Sequence, residues 1–314
     1  MQFFLVFFLF IFVSLPLALS ASTNDPLLLQ QKLKARVQQT PSHRKSSLLF
    51  DLPLTYNQRV SYWISFFQTK GKSWFAEWLE KSTRYLPVIQ QELRTTGLPL
   101  DLVYIVMVES GFEANAKSQA EAVGPWQFIH STGTRYGLRV NWWLDERRDI
   151  QKSTLAAVHY LSDLYREFGS WYLVAASYNM GETGLRRQIA KYHTRDFWVL
   201  SQKGALPAET MDYVPKILAA MMIAKAPGVY GFDHLAKLDP LDFEILQAPG
   251  GLDLNALADH IGVTHKSLRD LNAELIQGFI PEKIDHHPIH VPRGSMALVK
   301  DYMSGQTSST IVKK

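Results

Sequence analysis

The sequence predicts a mainly α protein whose helical domain is followed by a small α+β unit. Three observations carry that prediction. Between residues 56 and 228 apolar side chains recur at three- and four-residue spacing, as in helices with one buried face, and strand-like alternation is nearly absent. Past "APGVYGFDHL" the texture changes to strand-like "FEIL", two short helical runs and strand-like "HPIHVP". Hydrophobic residues make up 46% of the 314-residue chain and charged residues 20%, the balance of a globular chain with room for one large and one small domain.

The first segment, "MQFFLVFFLFIFVSLPLALSAS", is apolar from Phe3 to Val13, breaks at Pro16 and reaches small residues at Ala18, Ser20 and Ala21. Residues 1–21 therefore read as a signal peptide with a cleavage site at Ala18-Leu19-Ser20, or as an uncleaved anchor that would hold the protein at a membrane. No Lys or Arg precedes the apolar run. Either way the rest of the chain is expected to be exported. Residues 22–55, polar and carrying Pro26, Pro41 and Pro53, read as a linker.

The helical domain is expected over 56–232. Val60, Trp63, Ile64 and Phe67 mark a first buried stripe ended by Gly71. Trp74, Phe75, Trp78 and Leu79 open a second segment with a boundary at Pro87 and a stop at Gly97. The next helix starts near Pro99, with Asp101 at its positive end, and finishes at Gly111. A longer one, capped around Ser153, runs to Gly169. "WYLVAASYNMG" breaks at Gly181, "TGLRRQIAKYH" restarts, and "AETMDYVPKILAAMMIAKAPG" is a last helix started or kinked at Pro215. The carboxy-terminal unit, 240–302, reads strand–helix–helix–strand. The polar tail, 303–314, is expected to fray.

Charge and cysteine content exclude several classes. The net charge of +4 is spread along the chain without a phosphate-binding stretch, so nucleic acid is not an expected partner, whereas an anionic polymer or membrane surface is compatible. The absence of Cys rules out disulfides, thiolate metal sites, Cys nucleophiles and a lipid-modified Cys.

One carboxylate stands out. "LVYIVMVESGF" places Glu109 at the end of a run that is apolar almost all round and so buried. Desolvation and the negative end of the helix dipole both disfavour its charged form, which raises its pKa toward what a general acid needs. Its helical neighbours Ile105, Val106, Phe112 and Glu113 offer no basic partner. Downstream, Trp126, Gln127 and Phe128 follow the turn at Gly124-Pro125. An aromatic ring beside an amide suits a sugar, and Trp126 and Phe128 would equally serve as core anchors. Tyr178 and Asn179 set polar tips at a helix break. Glu182, just after that break, is read as an acid complementing a helix N-terminus. His260, His265, His286, His287 and His290 show no metal-ligand spacing, so neither metal nor organic cofactor is expected.

Taken together, "ESGF", "GPWQF…STGTRYGL", "DERRDIQKSTLAAVHYL", "FGSWYLVAASYNMGETGLRR" and "LPAETMDYVPKILA" resemble the lytic murein transglycosylases. The nearest likeness is to the membrane-bound type D group, with its goose-lysozyme-like soluble-transglycosylase (SLT) domain, over roughly residues 75–230. The carboxy-terminal unit resembles a single divergent LysM-like module. The resemblance implies a goose-type, lysozyme-like fold in the periplasm or cell envelope, with peptidoglycan glycan strands as partner. It implies Glu109 as sole catalytic acid/base, with Ser110 adjoining it, Trp126, Gln127 and Phe128 lining the cleft, Tyr178 and Asn179 beside the scissile bond, and Glu209 and Tyr213 closing the cleft. It also implies cleavage of the MurNAc-β-1,4-GlcNAc bond with closure of a 1,6-anhydro ring. A hydrolytic muramidase and a catalytically silent wall-binding protein are the alternatives. Pro125 and Ser177 depart from the family, which usually has an apolar residue such as Leu and an Ala at these positions.

Overall fold

Asn57 opens the first helix by accepting the N–H groups of Arg59 and Val60, two donors that the helix itself cannot satisfy. The computed structural model describes residues 50–311. The expected signal or anchor at 1–21 and nearly all of the expected linker lie outside the described residues. Helix α1, Gln58–Gln68, buries Val60, Trp63, Ile64 and Phe67, the stripe read from the sequence.

Helix α2, Lys72–Thr95, runs straight through the expected boundary at Pro87. Buried residues lie on both sides of the proline, Phe75 and Leu79 before it and Ile89 and Leu93 after it. Packing along the whole stripe therefore holds one helix despite the missing N–H. A 3-10 turn, Leu100–Leu102, leads into α3, Val103–Ser110, whose Val103 to Met107 are all buried. Gly111 ends it in the left-handed region at φ 59°.

Two short helices, α4 at His130–Arg135 and α8 at Phe197–Gln202, have no counterpart in the sequence reading. Helix α5, Ile150–Phe168, is capped by Asp149 rather than around Ser153. The Asp149 carboxylate accepts the N–H groups of Gln151 and Lys152, while the Ser153 hydroxyl donates back to the Asp149 carbonyl inside the first turn. Helices α6, Trp171–Met180, and α7, Glu182–Tyr192, meet at Gly181. Helix α9, Ala208–Lys225, passes Pro215 without a break and packs against α1, α3 and α6. It supplies much of the core through Val214, Ile217, Leu218 and Met221.

The carboxy-terminal unit has the expected strand–helix–helix–strand order. Strand β1, Phe243–Pro249, pairs antiparallel with β2, His286–Pro292, with Phe243 opposite Pro292 and Pro249 opposite His286. Between them lie α10, Leu254–Ile261, capped by Asp253, and α11, His265–Leu271, capped by Thr264. A further helix, α12, Met296–Ile311, crosses the stretch expected to fray from Met303. Val299 buries against this unit's core and starts the helix inside it.

The two units share a core. Trp143 and Leu144, from the loop before α5, pack among Ala248, Leu257, Ile289 and Val291 of the carboxy-terminal unit. Main-chain bonds reinforce the seam: Asp145 N–H donates to the Glu274 carbonyl at 2.8 Å and Ile276 N–H to the Trp143 carbonyl at 2.9 Å. No helix among the described residues is long and apolar enough to cross a membrane.

Candidate active site

Helix α3 carries Glu109 out of the core on an apolar stem and releases it, partly exposed, at its last turn. The helix must end there. A Cβ on Gly111 would sit 2.0 Å from the Trp78 indole nitrogen, so only glycine fits the left-handed turn beneath the ring. Burial pushes the Glu109 carboxyl up from its ordinary value to about 7; the Glu209 charge adds to the rise, while the Tyr213 hydroxyl and Lys216 ammonium pull it back. The Tyr213 hydroxyl donates to Glu109 Oε1. Burial and the neighbouring carboxylate hold that phenol well above its usual range, so at neutral pH it serves as a donor only.

Three further links tie the surrounding elements together. Ser110 Oγ donates to the Pro125 carbonyl at 2.8 Å and so fixes the 124–128 turn to the end of α3. The Tyr178 hydroxyl donates to the Trp126 carbonyl, tying that turn to α6. Asn179 donates to Glu209 Oε1 at 3.1 Å and accepts from Thr210 Oγ1 at 2.7 Å, which joins α6 to the first turn of α9. The turn itself is tightly built. A Cβ on Gly124 would lie 1.9 Å from the Arg147 carbonyl oxygen. Gln127 takes φ 50°, an uncommon conformation for a side-chain-bearing residue, and its amide donates to the carbonyls of Gly124 and Ala116.

The structure thus gathers Glu109, Ser110, Gln127, Tyr178, Asn179, Glu209 and Tyr213 around one locus, and corrects two expectations. Trp126 has no exposed surface and its indole N–H donates to Thr154 Oγ1 at 2.9 Å. Phe128 is 2% exposed and packs near Tyr160 and Tyr178. Both rings anchor the turn from below and cannot face a glycan; burial, which periodicity does not resolve inside a turn, decides between the two roles. Ser110 likewise acts through its bond to Pro125. Glu182 is the first residue of α7 and pairs with Arg135 at 2.8 Å, so it belongs to a helix terminus and an ion pair.

Sequence reasoning missed Lys216. The Lys216 ammonium lies 4.4 Å from the Trp63 ring centroid, and burial lowers its pKa from the usual lysine value. A signal existed: Glu209, Tyr213 and Lys216 stand at i, i+4 and i+7, one face of α9.

Residues 87–201 match the transglycosylase SLT domain family, and residues 242–305 match the LysM-like domain family of lytic transglycosylase MltD. The membrane-bound lytic murein transglycosylase D of Escherichia coli K12 is 33% identical over 209 residues, 65% of this chain and 45% of that protein. A putative tributyltin chloride resistance protein of an Alteromonas species is 34% identical over 107 residues, 34% of this chain and 52% of that one. The chain thus spans about half the length of the curated relatives it matches. An inactive mutant of the lytic transglycosylase Slt from Pseudomonas aeruginosa aligns over 46% of this chain and 24% of its own, at 21% identity and a TM-score of 0.38.

Proposed function

We propose, for a chain that carries a transglycosylase SLT domain followed by a MltD-type LysM-like domain, that it cleaves the MurNAc-β-1,4-GlcNAc bond of peptidoglycan and leaves 1,6-anhydro-MurNAc ends. The observation that carries the reading is Glu109: one carboxyl on a buried helix end, with its pKa lifted to about 7 and a phenol donating to it. In the protonated form Glu109 delivers its proton to the leaving glycosidic oxygen. In the ionised form, which Tyr213 and Lys216 favour, it takes the proton of the muramic acid C6 hydroxyl as that oxygen closes on C1.

Most glycosidases need a second carboxyl group as nucleophile or to activate water. Here the other acid acting on Glu109, Glu209, is exposed and tied to Asn179, which suits a wall of the cleft better than a base opposite the sugar. A nucleophile supplied by the substrate removes the need for one. Gln127, Tyr178, Asn179, Glu209 and Tyr213 would grip the strand, and the LysM-like unit would add glycan contact. Export to the periplasm or envelope, through the amino-terminal segment, and a part in wall remodelling or turnover complete the proposal.

Mass spectrometry of muropeptides released from purified sacculi tests it. Anhydro-muramic ends are the expected product, and reducing ends would make the protein a water-using muramidase. Glu109→Gln should lose at least ~100-fold of the activity, the lower end of what a positioned general acid contributes. Sacculi bound but left intact by the parent would make it a wall-binding protein.

A further inference from the structure

We infer that Asp149, Glu274 and His290 form a binding site for a divalent cation of the zinc class, set at the seam between the helical domain and the carboxy-terminal unit. A carboxylate oxygen from each acid and a ring nitrogen of the histidine lie within 4.8 Å of one another, and all three residues are buried. Spacing along the chain hides the set, because Asp149 caps α5, Glu274 follows α11 and His290 sits on β2.

The unsatisfied atoms point to a missing ligand. Glu274 has no exposed surface, and neither of its carboxylate oxygens has a hydrogen-bond partner. Asp149 spends Oδ1 on the cap of α5, and its Oδ2 is also buried and unpartnered. The nearby Lys152 ammonium does not resolve this. It stands 3.9 Å from Asp149 Oδ2, too far for a hydrogen bond, and is engaged by Glu146 Oε1 at 2.6 Å. A divalent cation cancels both carboxylates at once.

The histidine is prepared for the role. Its Nδ1 donates to the Leu271 carbonyl at 3.0 Å, which leaves Nε2 with the lone pair in the neutral ring. An imidazole oriented by a backbone carbonyl is the common arrangement of metal-bound histidine. One imidazole and two carboxylates suit Zn²⁺ better than Mg²⁺ or Ca²⁺, which take oxygen alone. Because the ligands come from both units, the ion would staple one to the other.

The test uses the whole chain, stripped with a chelator and titrated with Zn²⁺ by calorimetry, with Mg²⁺ and Ca²⁺ as controls. One ion per chain is expected, with a melting midpoint raised by about 5 °C or more at ~100-fold excess over Kd. Glu274→Gln keeps the shape and should weaken binding by more than the ~10–100-fold typical of groups outside the coordination shell. Metal-free, that variant should melt no lower than the parent, since it removes a buried uncompensated acid. Co²⁺ in the parent should show the intense visible absorption of a four-coordinate ion. No stoichiometric uptake by the parent, or equal Zn²⁺ affinity in Glu274→Gln, would overturn the site.

Discussion

At the residue scale, the site rests on one carboxyl held between its two charge states. Burial and Glu209 raise the Glu109 pKa, while Tyr213 and Lys216 lower it, with about 7 as the outcome. The proposed first step needs the protonated form, so the rate should fall as pH rises through that value. Tyr213→Phe removes a hydrogen bond that favours the ionised carboxylate, so the falling limb should move to higher pH even as the maximal rate drops. Glu209→Gln removes a negative charge that disfavours ionisation, so the limb should move to lower pH. A pH–rate profile of each variant on the same glycan strands reads both directions. Two shifts of the same sign would mean that one of the two groups does not act on Glu109 as described. Asn179 loses its Glu209 partner carboxylate in the second variant but keeps an amide oxygen there, so the wall of the cleft should survive.

At the element scale, α3 does its work by ending where it does. Its apolar run was legible in the sequence, as was its stop, because Gly111 follows an unbroken series of core residues. The clash that forbids any other residue there was not legible, since Trp78 comes from α2, far off in the chain. Gly111→Ala would set a Cβ 2.0 Å from the Trp78 ring and strain the left-handed turn. A loss of roughly 2–3 kcal/mol is expected, the upper range for single substitutions, and denaturant melts measure it directly. Activity should fall further than stability explains, because Glu109 lies two residues away. The same reasoning accounts for what the sequence could not show about the 124–128 turn. Aromatic and amide residues were visible as a group, but their sorting into buried Trp126 and Phe128 and a half-exposed Gln127 depends on Thr154 and Tyr178, which arrive from α5 and α6. Pro87 failed as a boundary for a related reason: local breaking signals yield when a buried stripe continues on both sides.

At the scale of the whole molecule, the two units read from the sequence are not independent beads. The change of texture after residue 232 set them apart in the sequence, yet nothing in "NWWLDERRD" announced that Trp143 and Leu144 would lie in the other unit's core. Both residues scan as ordinary loop apolars, and only the partner surface gives them meaning. Leu144 has no exposed surface, and its neighbours in that core include Leu257, Ile289 and Val291. Leu144→Ala should therefore cost about 2–5 kcal/mol, the range for a buried Leu truncated in a core. That loss should fall on the seam and not be spread over the fold. The parent is expected to melt in one calorimetric transition. The variant should split into two, with the carboxy-terminal unit melting first and the 232–242 connection becoming open to protease. Leu144→Met, which keeps the volume, should cost under ~1.5 kcal/mol and preserve the single transition. A variant that still melted as one unit at the parent's temperature would mean that Leu144 contributes nothing to the seam.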